Sequence, residues 1–192
     1  MAQAGQELEV KFLVEHLRLV EARLTSLGAQ LVQARQYEAN LRFDTPDRRL
    51  SRQQCALRLR QDDRAHLTYK GPSFNKEGAS LRQELEFIVS DFAMARAFLE
   101  TLGFQVMMMY EKYRASYDLD GSMITLDELP YGNFVEIEGQ DAQVISSIAQ
   151  QLGLDWEKRC LDGYIVLFDR VRQQRGFEFS DLSFANFVDI SV

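Results

Sequence analysis

The sequence predicts an α+β protein, an eight-stranded antiparallel β-barrel with a charged lumen and with helices packed outside. Three observations support this fold class. The chain contains about eight short strand-like segments, it has few helical segments between them, and most strands carry charges on one face and apolar residues on the other. A sheet of this kind can close on itself and leave its apolar face for the helices to cover.

The strand-like segments follow one another closely. We predict strands over residues 6–13, 35–43, 55–62, 65–71, 80–89, 105–118, 122–128 and 133–139. Turn-forming residues stand between several of them, as in DTPD at 44–47, DG at 120–121 and PYG at 130–132. Because so little chain separates the strands, antiparallel pairing of neighbours is favoured.

Four segments have the periodicity of amphipathic helices, over residues 15–27, 91–102, 141–152 and 161–173. In the first, Leu17, Val20 and Leu24 belong to one apolar stripe that ends before Gly28. The second and third each begin at an aspartate that can cap a helix and end beside a glycine. The apolar stripes require an apolar surface to pack against, and the outer face of the sheet supplies one.

The strand at residues 7–12 (ELEVKF) alternates strictly between charged and apolar residues, and the other strands repeat this pattern. A single such strand would merely have a solvated face. Across the set, however, like charges recur at i and i+2 within a strand, which is unfavourable without counter-charges nearby. We therefore predict that these charges face the lumen: Lys11, Arg58, Arg60, Lys70, Arg82, Lys112 and Arg114, with Glu7, Glu9, Glu84, Glu86, Asp127, Glu136 and Glu138.

The composition disfavours several classes of protein. A length of 192 residues with 46% hydrophobic content indicates one domain, over residues 1–175, followed by an apolar tail over 176–192 that packs on the barrel or at a dimer interface. The net charge of −7 disfavours nucleic-acid binding. We expect a cytoplasmic protein without a membrane partner, because the two cysteines are far apart and neither a signal peptide nor a long apolar run is apparent.

The charged lumen suggests a ligand class. Clustered carboxylates without histidine or cysteine favour a hard cation such as Mg²⁺ or Mn²⁺. Clustered arginine and lysine side chains favour an anion with many oxygens. A polyphosphate satisfies both conditions, although a solvated sheet face stays the alternative for any one strand.

Several motifs resemble landmarks of the CYTH superfamily, the triphosphate tunnel metalloenzymes, which include class IV adenylate cyclases and thiamine triphosphatases. ELEVKF resembles the ExExK signature of that family. Further segments resemble its landmarks in the same order: RFDTPDRRL at 42–50, ALRLR at 56–60, LTYKGP at 67–72, RQELEF at 82–87, EKYRASY at 111–117 and LDELPYGNFVEIEG at 126–139. The resemblance extends over roughly residues 6–170, most of the chain.

The resemblance implies an eight-stranded tunnel that binds a triphosphate together with divalent metal, Mg²⁺ or Mn²⁺. The implied metal ligands are Glu7, Glu9, Asp127, Glu136 and Glu138, with Glu84 and Glu86 as further candidates. The implied triphosphate ligands are Lys11, Arg58, Arg60, Lys70, Arg82, Lys112 and Arg114, and Lys11, Glu9 and Glu136 are the residues on which turnover is expected to depend. The family also implies a possible homodimer.

The resemblance leaves the reaction open. Metal-activated water attacking in line gives a triphosphatase for tripolyphosphate or a nucleoside triphosphate, which we favour. Attack by a ribose 3′-hydroxyl gives an adenylate cyclase, and the N-terminal segment lacks the His-Phe pair of some cyclases. Thiamine triphosphatases carry a tyrosine at the position of Arg42, which here adds a candidate phosphate ligand. A polyphosphate-binding protein without catalysis is the third alternative.

Overall fold

A computed structural model describes residues 5–190 of the chain. It contains nine strands: β1 (Gln6–Val14), β2 (Gln30–Asp44), β3 (Ala56–Gln61), β4 (Ala65–Lys70), β5 (Phe74–Lys76), β6 (Ala79–Val89), β7 (Gln105–Leu119), β8 (Ser122–Leu129) and β9 (Gly132–Glu138). The α-helices are α1 (Leu17–Ser26), α2 (Arg49–Arg52), α3 (Phe92–Thr101), α4 (Ala142–Gln151) and α5 (Tyr164–Arg175). Short 3₁₀ turns cover Trp156–Lys158 and Phe184–Phe187. The first four residues of the predicted domain and the last two of the predicted tail lie outside this range.

The strands form one antiparallel sheet that closes into a ring of eight, which confirms the predicted fold class. The order is β1, β9, β8, β7, β2, β3, β4 and β6, and β6 pairs back with β1. The ninth strand, β5, is a short hairpin partner of β6 that was not predicted. Closure leaves no free edge along the ring and creates an inner and an outer face.

The register aligns the charged positions of neighbouring strands. Lys11 of β1 lies opposite Glu136 of β9, and Glu7 of β1 lies opposite Arg82 of β6. Directly opposed residues of an antiparallel pair lie on the same face of the sheet. The period-two pattern of each strand is therefore continued from strand to strand around the ring.

The main hydrophobic core lies between the ring and helices α1 and α4. Val10, Ile124 and Ile137 from the strands are completely buried there, together with Leu24 of α1 and Ile145 of α4. Burying a side chain of this size contributes about 1.5–3 kcal/mol. Since the apolar core lies outside the ring, the charged side chains are left to fill its interior.

Helix α3 covers a second apolar cluster on β2 and β3, where Leu99 packs with Phe43 and Leu59. The predicted capping aspartates are confirmed: Asp91 accepts a hydrogen bond from the Met94 amide at the start of α3, at 2.9 Å. At the start of α4, Asp141 likewise accepts from the Val144 amide.

A third cluster joins α5 and the C-terminal segment to the ring. Phe168 of α5 is completely buried, and its ring lies 5.8 Å from that of Tyr131 and 6.2 Å from that of Phe187. Leu182 pairs with β7, since its amide donates to the Met109 carbonyl at 2.9 Å. This cluster fixes α5 against one part of the ring.

The starts of two elements differ by several residues from the predictions, and one short helix was not predicted. Strand β2 begins at Gln30 rather than at residue 35, because its first residues pair irregularly with β7. The short helix α2 was not predicted, and α5 begins at Tyr164 rather than at residue 161.

Within residues 5–190, none of the helices has the length and apolar character needed to cross a membrane.

Candidate active site

The ring encloses a central cavity of about 1100 Å³. Every predicted site residue except Asp127 lines it: Glu7, Glu9, Lys11, Arg42, Arg58, Arg60, Lys70, Arg82, Glu84, Glu86, Lys112, Arg114, Glu136 and Glu138. These side chains come from seven of the eight ring strands, β1 to β4, β6, β7 and β9. The structure thus brings the predicted residues together in one space, and their individual roles stay predictions.

Three carboxylates form a cluster that can hold a metal ion. Oxygen atoms of Glu7, Glu9 and Glu136 lie within 4.8 Å of one another, and all three residues are buried. Burial and the Glu136 carboxylate raise the pKa of Glu9 above its ordinary value. The second oxygen of Glu9, Oε2, is buried without a hydrogen-bond partner among the described residues. Such an oxygen is available to a cation.

Glu138 extends this acidic cluster along β9. Burial and the negative charges of Glu7, Glu136, Glu9 and Glu84 together raise the pKa of its carboxyl to about 7. Mutual repulsion of this kind is relieved by a proton or by a bound cation. The oxygen-only donor set fits a hard divalent cation, which prefers carboxylate ligands.

Cations contact the same carboxylates. The Lys11 ammonium lies 2.5 Å from Glu9 and 3.2 Å from Glu136. Burial opposes its charge, but Glu136 and Glu9 raise the pKa of Lys11 above its ordinary value, so it stays protonated. Arg82 donates to Glu9 at 2.8 Å and to Glu7 at 3.1 Å. The cluster therefore adjoins positive charge that an anionic ligand can use.

Asp127 lies on the inner face of the ring, opposite Arg114, but it is completely buried and does not line the cavity. Its carboxylate accepts two hydrogen bonds from Arg114, at 2.6 and 2.5 Å, and one from Lys112 at 3.2 Å. Burial would raise its pKa, but the charges of Arg114 and Lys112 lower it below the ordinary value. In this structure the predicted metal ligand Asp127 is an anchor for two cations and lies outside the carboxylate cluster.

Tyr164 of α5 lies at the site; the sequence left it equally open between a family position near the tunnel mouth and a tyrosine that packs the helix. Its hydroxyl lies 2.6 Å from Asp127 and 3.1 Å from Glu136, within reach of both carboxylates. The ammonium groups of Lys11 and Lys112 each lie 5.4 Å from the centre of its ring, at cation–π distance. The tyrosine thus joins the acidic cluster to the Asp127 anchor.

Two glutamates of β6, Glu84 and Glu86, occupy a second part of the cavity. Glu86 contacts Arg58 and Arg60, each at 3.2 Å, and also lies 3.2 Å from His66. Glu84 contacts Lys70 at 2.9 Å. Both candidates for further metal ligands are therefore paired with cations and lie outside the three-carboxylate cluster.

Glu38 of β2 was missed as a member of this charged interior. It is 1% exposed and contacts Lys112 at 3.5 Å and Arg60 at 3.8 Å. These cations outweigh burial, which acts in the opposite direction, and lower the pKa of Glu38. The alternation along β2 could have identified it, because Glu38 and Arg42 are four residues apart and so belong to the same face of the strand.

The comparisons with known proteins agree with this geometry. A family sequence model described as the CYTH domain matches residues 5–153. None of the curated proteins matches the chain significantly.

Solved structures share the fold over most of the chain. A Vibrio parahaemolyticus protein, named provisionally as an adenylate cyclase, superposes with a TM-score of 0.78 at 22% identity, covering 87% of this chain and 99% of its own. A Pyrococcus horikoshii protein gives 0.71 at 27% identity, with 84% and 98% covered. A Hippeastrum protein, named provisionally as an adenylyl cyclase and described as having a dominant triphosphatase activity, gives 0.65 at 19% identity, with 86% and 96% covered.

Proposed function

The chain belongs to the CYTH family, and from that premise we propose that it is a divalent-metal-dependent phosphohydrolase acting on triphosphate substrates. The substrate would be inorganic tripolyphosphate or a nucleoside triphosphate, cleaved by in-line attack of water. The observation that carries the proposal is the buried cluster of Glu7, Glu9 and Glu136 inside a cavity lined by lysine and arginine. An acidic cluster surrounded by cations suits a ligand that is both anionic and metal-chelating.

The carboxylates support a metal role. Glu7, Glu9 and Glu136 would hold Mg²⁺ or Mn²⁺, with Glu138 as a further oxygen donor. The orphaned Glu9 oxygen and the raised pKa of Glu138 are both features that a bound cation would relieve. When bound, such an ion supplies Lewis-acid polarisation of phosphoryl oxygens and activates the attacking water.

The cations would bind and orient the substrate. Lys11 lies between two carboxylates of the acidic cluster, so its ammonium can contact a phosphoryl oxygen at that position. Arg114 is held by Asp127 through two hydrogen bonds, which fixes the plane of its guanidinium. Because phosphoryl transfer depends mainly on positioning and on neutralising charge, such preorganised cations are the protein's principal contribution.

An adenylate cyclase is the alternative. A cavity of about 1100 Å³ is at the upper end of the range for small-molecule sites and has room for a nucleoside in addition to three phosphates. The ribose 3′-hydroxyl would then replace water as the nucleophile and release pyrophosphate. The family contains proteins named for both activities, so the products must decide between them.

A product assay tests both reactions. Purified protein is incubated with ATP, tripolyphosphate and thiamine triphosphate, with Mg²⁺, with Mn²⁺ or with chelator. Metal-dependent release of orthophosphate supports the hydrolase, whereas cyclic AMP and pyrophosphate would replace it with the cyclase. Tight triphosphate binding without any product would leave a binding protein.

Variants connect the activity to the site. We expect Lys11→Ala and Glu136→Gln each to lower turnover at least about 100-fold while the circular dichroism spectrum is retained. The matched control is Glu157→Gln, since the Glu157 side chain is 85% exposed and does not line the cavity. Unchanged turnover in the two cavity variants would contradict the assignment of this site.

A further inference from the structure

A smaller side pocket adjoins the central cavity and is not used by the proposed reaction. Its volume is about 220 Å³. Arg42, Ser51, Ile165 and Asp169 line both spaces, so the two are adjacent around these four residues. Arg42 therefore stands at the boundary between the central cavity and the side pocket.

Arg42 stands out from the other cations of the central cavity. Each of those other cations contacts at least one carboxylate within 4.0 Å, as Lys70 contacts Glu7 and Glu84. Among residues 5–190, Arg42 has no such ion pair, and its buried Nε has no hydrogen-bond partner. Burial, together with the neighbouring charges of Arg58 and Arg82, lowers the pKa of Arg42. An anion bound here would not have to displace a carboxylate.

A second unpaired arginine lines the side pocket itself. Arg48 is exposed, and within the described chain its guanidinium has neither an ion pair nor a hydrogen bond. The pocket's two acidic residues contact other groups. Asp44 accepts hydrogen bonds from the amides of Leu50 and Ser51, and Asp169 pairs at 3.1 Å with Arg172, a third arginine of the pocket lining. The pocket therefore presents two guanidinium groups that form no ion pair among the described residues, those of Arg42 and Arg48.

We propose that the side pocket binds the phosphate groups that follow the third one in a linear inorganic polyphosphate, through Arg42 and Arg48. The inference rests on the proposed function, because it takes the central cavity as the seat of the first three phosphates. A guanidinium matches phosphate oxygens with two parallel hydrogen bonds. Two unpaired guanidiniums favour an anionic continuation of the ligand over an uncharged nucleoside.

Calorimetric binding tests the inference without turnover. Tripolyphosphate, tetrapolyphosphate and ATP are titrated in chelator into the wild-type protein and into Arg48→Gln. We expect the wild type to bind tetrapolyphosphate about tenfold more tightly than tripolyphosphate, as one added charge-assisted contact provides. Arg48→Gln should bring that ratio close to one. Arg48→Asn is a second variant, since asparagine tolerates the left-handed backbone at this position, where φ is +58°.

The matched control is Arg49→Gln, which changes an adjacent exposed arginine that lines neither space and should keep the ratio. Equal affinity of the wild type for both polyphosphates, or an unchanged ratio in both Arg48 variants, would overturn the inference. The inference would also be overturned if the Arg48 variants lost as much affinity for ATP as for tetrapolyphosphate, because the side pocket would then bind the nucleoside end of ATP. If the ratio behaves as expected while Mg²⁺ elicits no phosphate release, the side pocket stands and the proposed hydrolase fails.

Discussion

The carboxylate of Asp44 at the end of β2 should be a major stabilising group of the loop that borders both cavities. It accepts four short hydrogen bonds, from the amides of Thr45, Leu50 and Ser51 at 2.8–2.9 Å and from the Ser51 hydroxyl at 2.6 Å. The residue is 2% exposed. This one side chain therefore fastens a loop that contains α2, Arg48 and Ser51.

The size of the effect follows from its pKa. Burial would raise the pKa of Asp44, but the hydrogen bonds from Ser51, Leu50 and Thr45 lower it from 3.8 to about 2. At about 1.4 kcal/mol per pKa unit, this difference corresponds to ~2 kcal/mol of stability at neutral pH. Because the folded-state pKa is depressed, this contribution is present above about pH 4 and is lost as the pH falls through about 2.

We expect Asp44→Asn to lower the free energy of unfolding by ~2–3 kcal/mol at pH 7, since the amide supplies one acceptor oxygen where the carboxylate supplies two. For a chain of 192 residues this corresponds to a fall in Tm of about 5–10 °C. Urea denaturation at pH 7 and at lower pH measures the free energy of unfolding, and the difference in this free energy between variant and wild type should narrow below pH 4. Asp47→Asn, on the same loop but exposed, is the control and should be close to the wild type. A loss below about 0.5 kcal/mol for Asp44→Asn would refute the reasoning.

Three further predictions concern the interior and the C-terminal cluster. In chelator, Tm should fall as the pH rises from 4.5 to about 7, because folded Glu138 has a pKa of about 7 and keeps a proton that the unfolded chain releases. Glu138→Gln should flatten the dependence of Tm on pH, and an equally steep dependence in that variant would contradict the assignment to Glu138. Tyr164→Phe removes the hydroxyl beside Asp127 and should cost ~1–2 kcal/mol in urea denaturation, whereas an unchanged midpoint would show the hydroxyl to be dispensable. Phe168→Ala should lower the free energy of unfolding by ~3–5 kcal/mol, because the ring is fully buried. Val166→Ala truncates a 46% exposed side chain of the same helix and should change it little, and similar losses in the two variants would rule out the aromatic cluster as the cause.

Much of the fold could be predicted because it is encoded locally. The period-two pattern of residues 7–12 continues through β1, and the same pattern locates most of the other ring strands to within a few residues. The aspartates at 91 and 141 mark the starts of α3 and α4 by a capping interaction that spans only three residues. Short α2 lacked such a signal, because it is held by the side chain of Asp44 rather than by its own periodicity.

The candidate site was predicted less completely. The alternation identified which charges face inward, but not which of them meet. Asp127, predicted as a metal ligand, contacts Arg114 and Lys112 in the structure, and the ring register places it beside them. For Tyr164 the sequence left two alternatives, a position near the tunnel mouth or helix packing. Its hydroxyl reaches Asp127 because the aromatic packing of Phe168 fixes α5 against the ring.

The sequence by itself determined the fold class, the inward face of each strand and the chemical character of the interior, because side-chain alternation and net composition are properties of short segments. The tertiary structure alone decided the pairing of charges. It joins Glu7, Glu9 and Glu136 into one cluster, and among residues 5–190 it leaves Arg42 without an ion pair at the boundary with the side pocket. Such pairings depend on which strands become neighbours when the ring closes, and closure brings together residues more than a hundred positions apart in the chain.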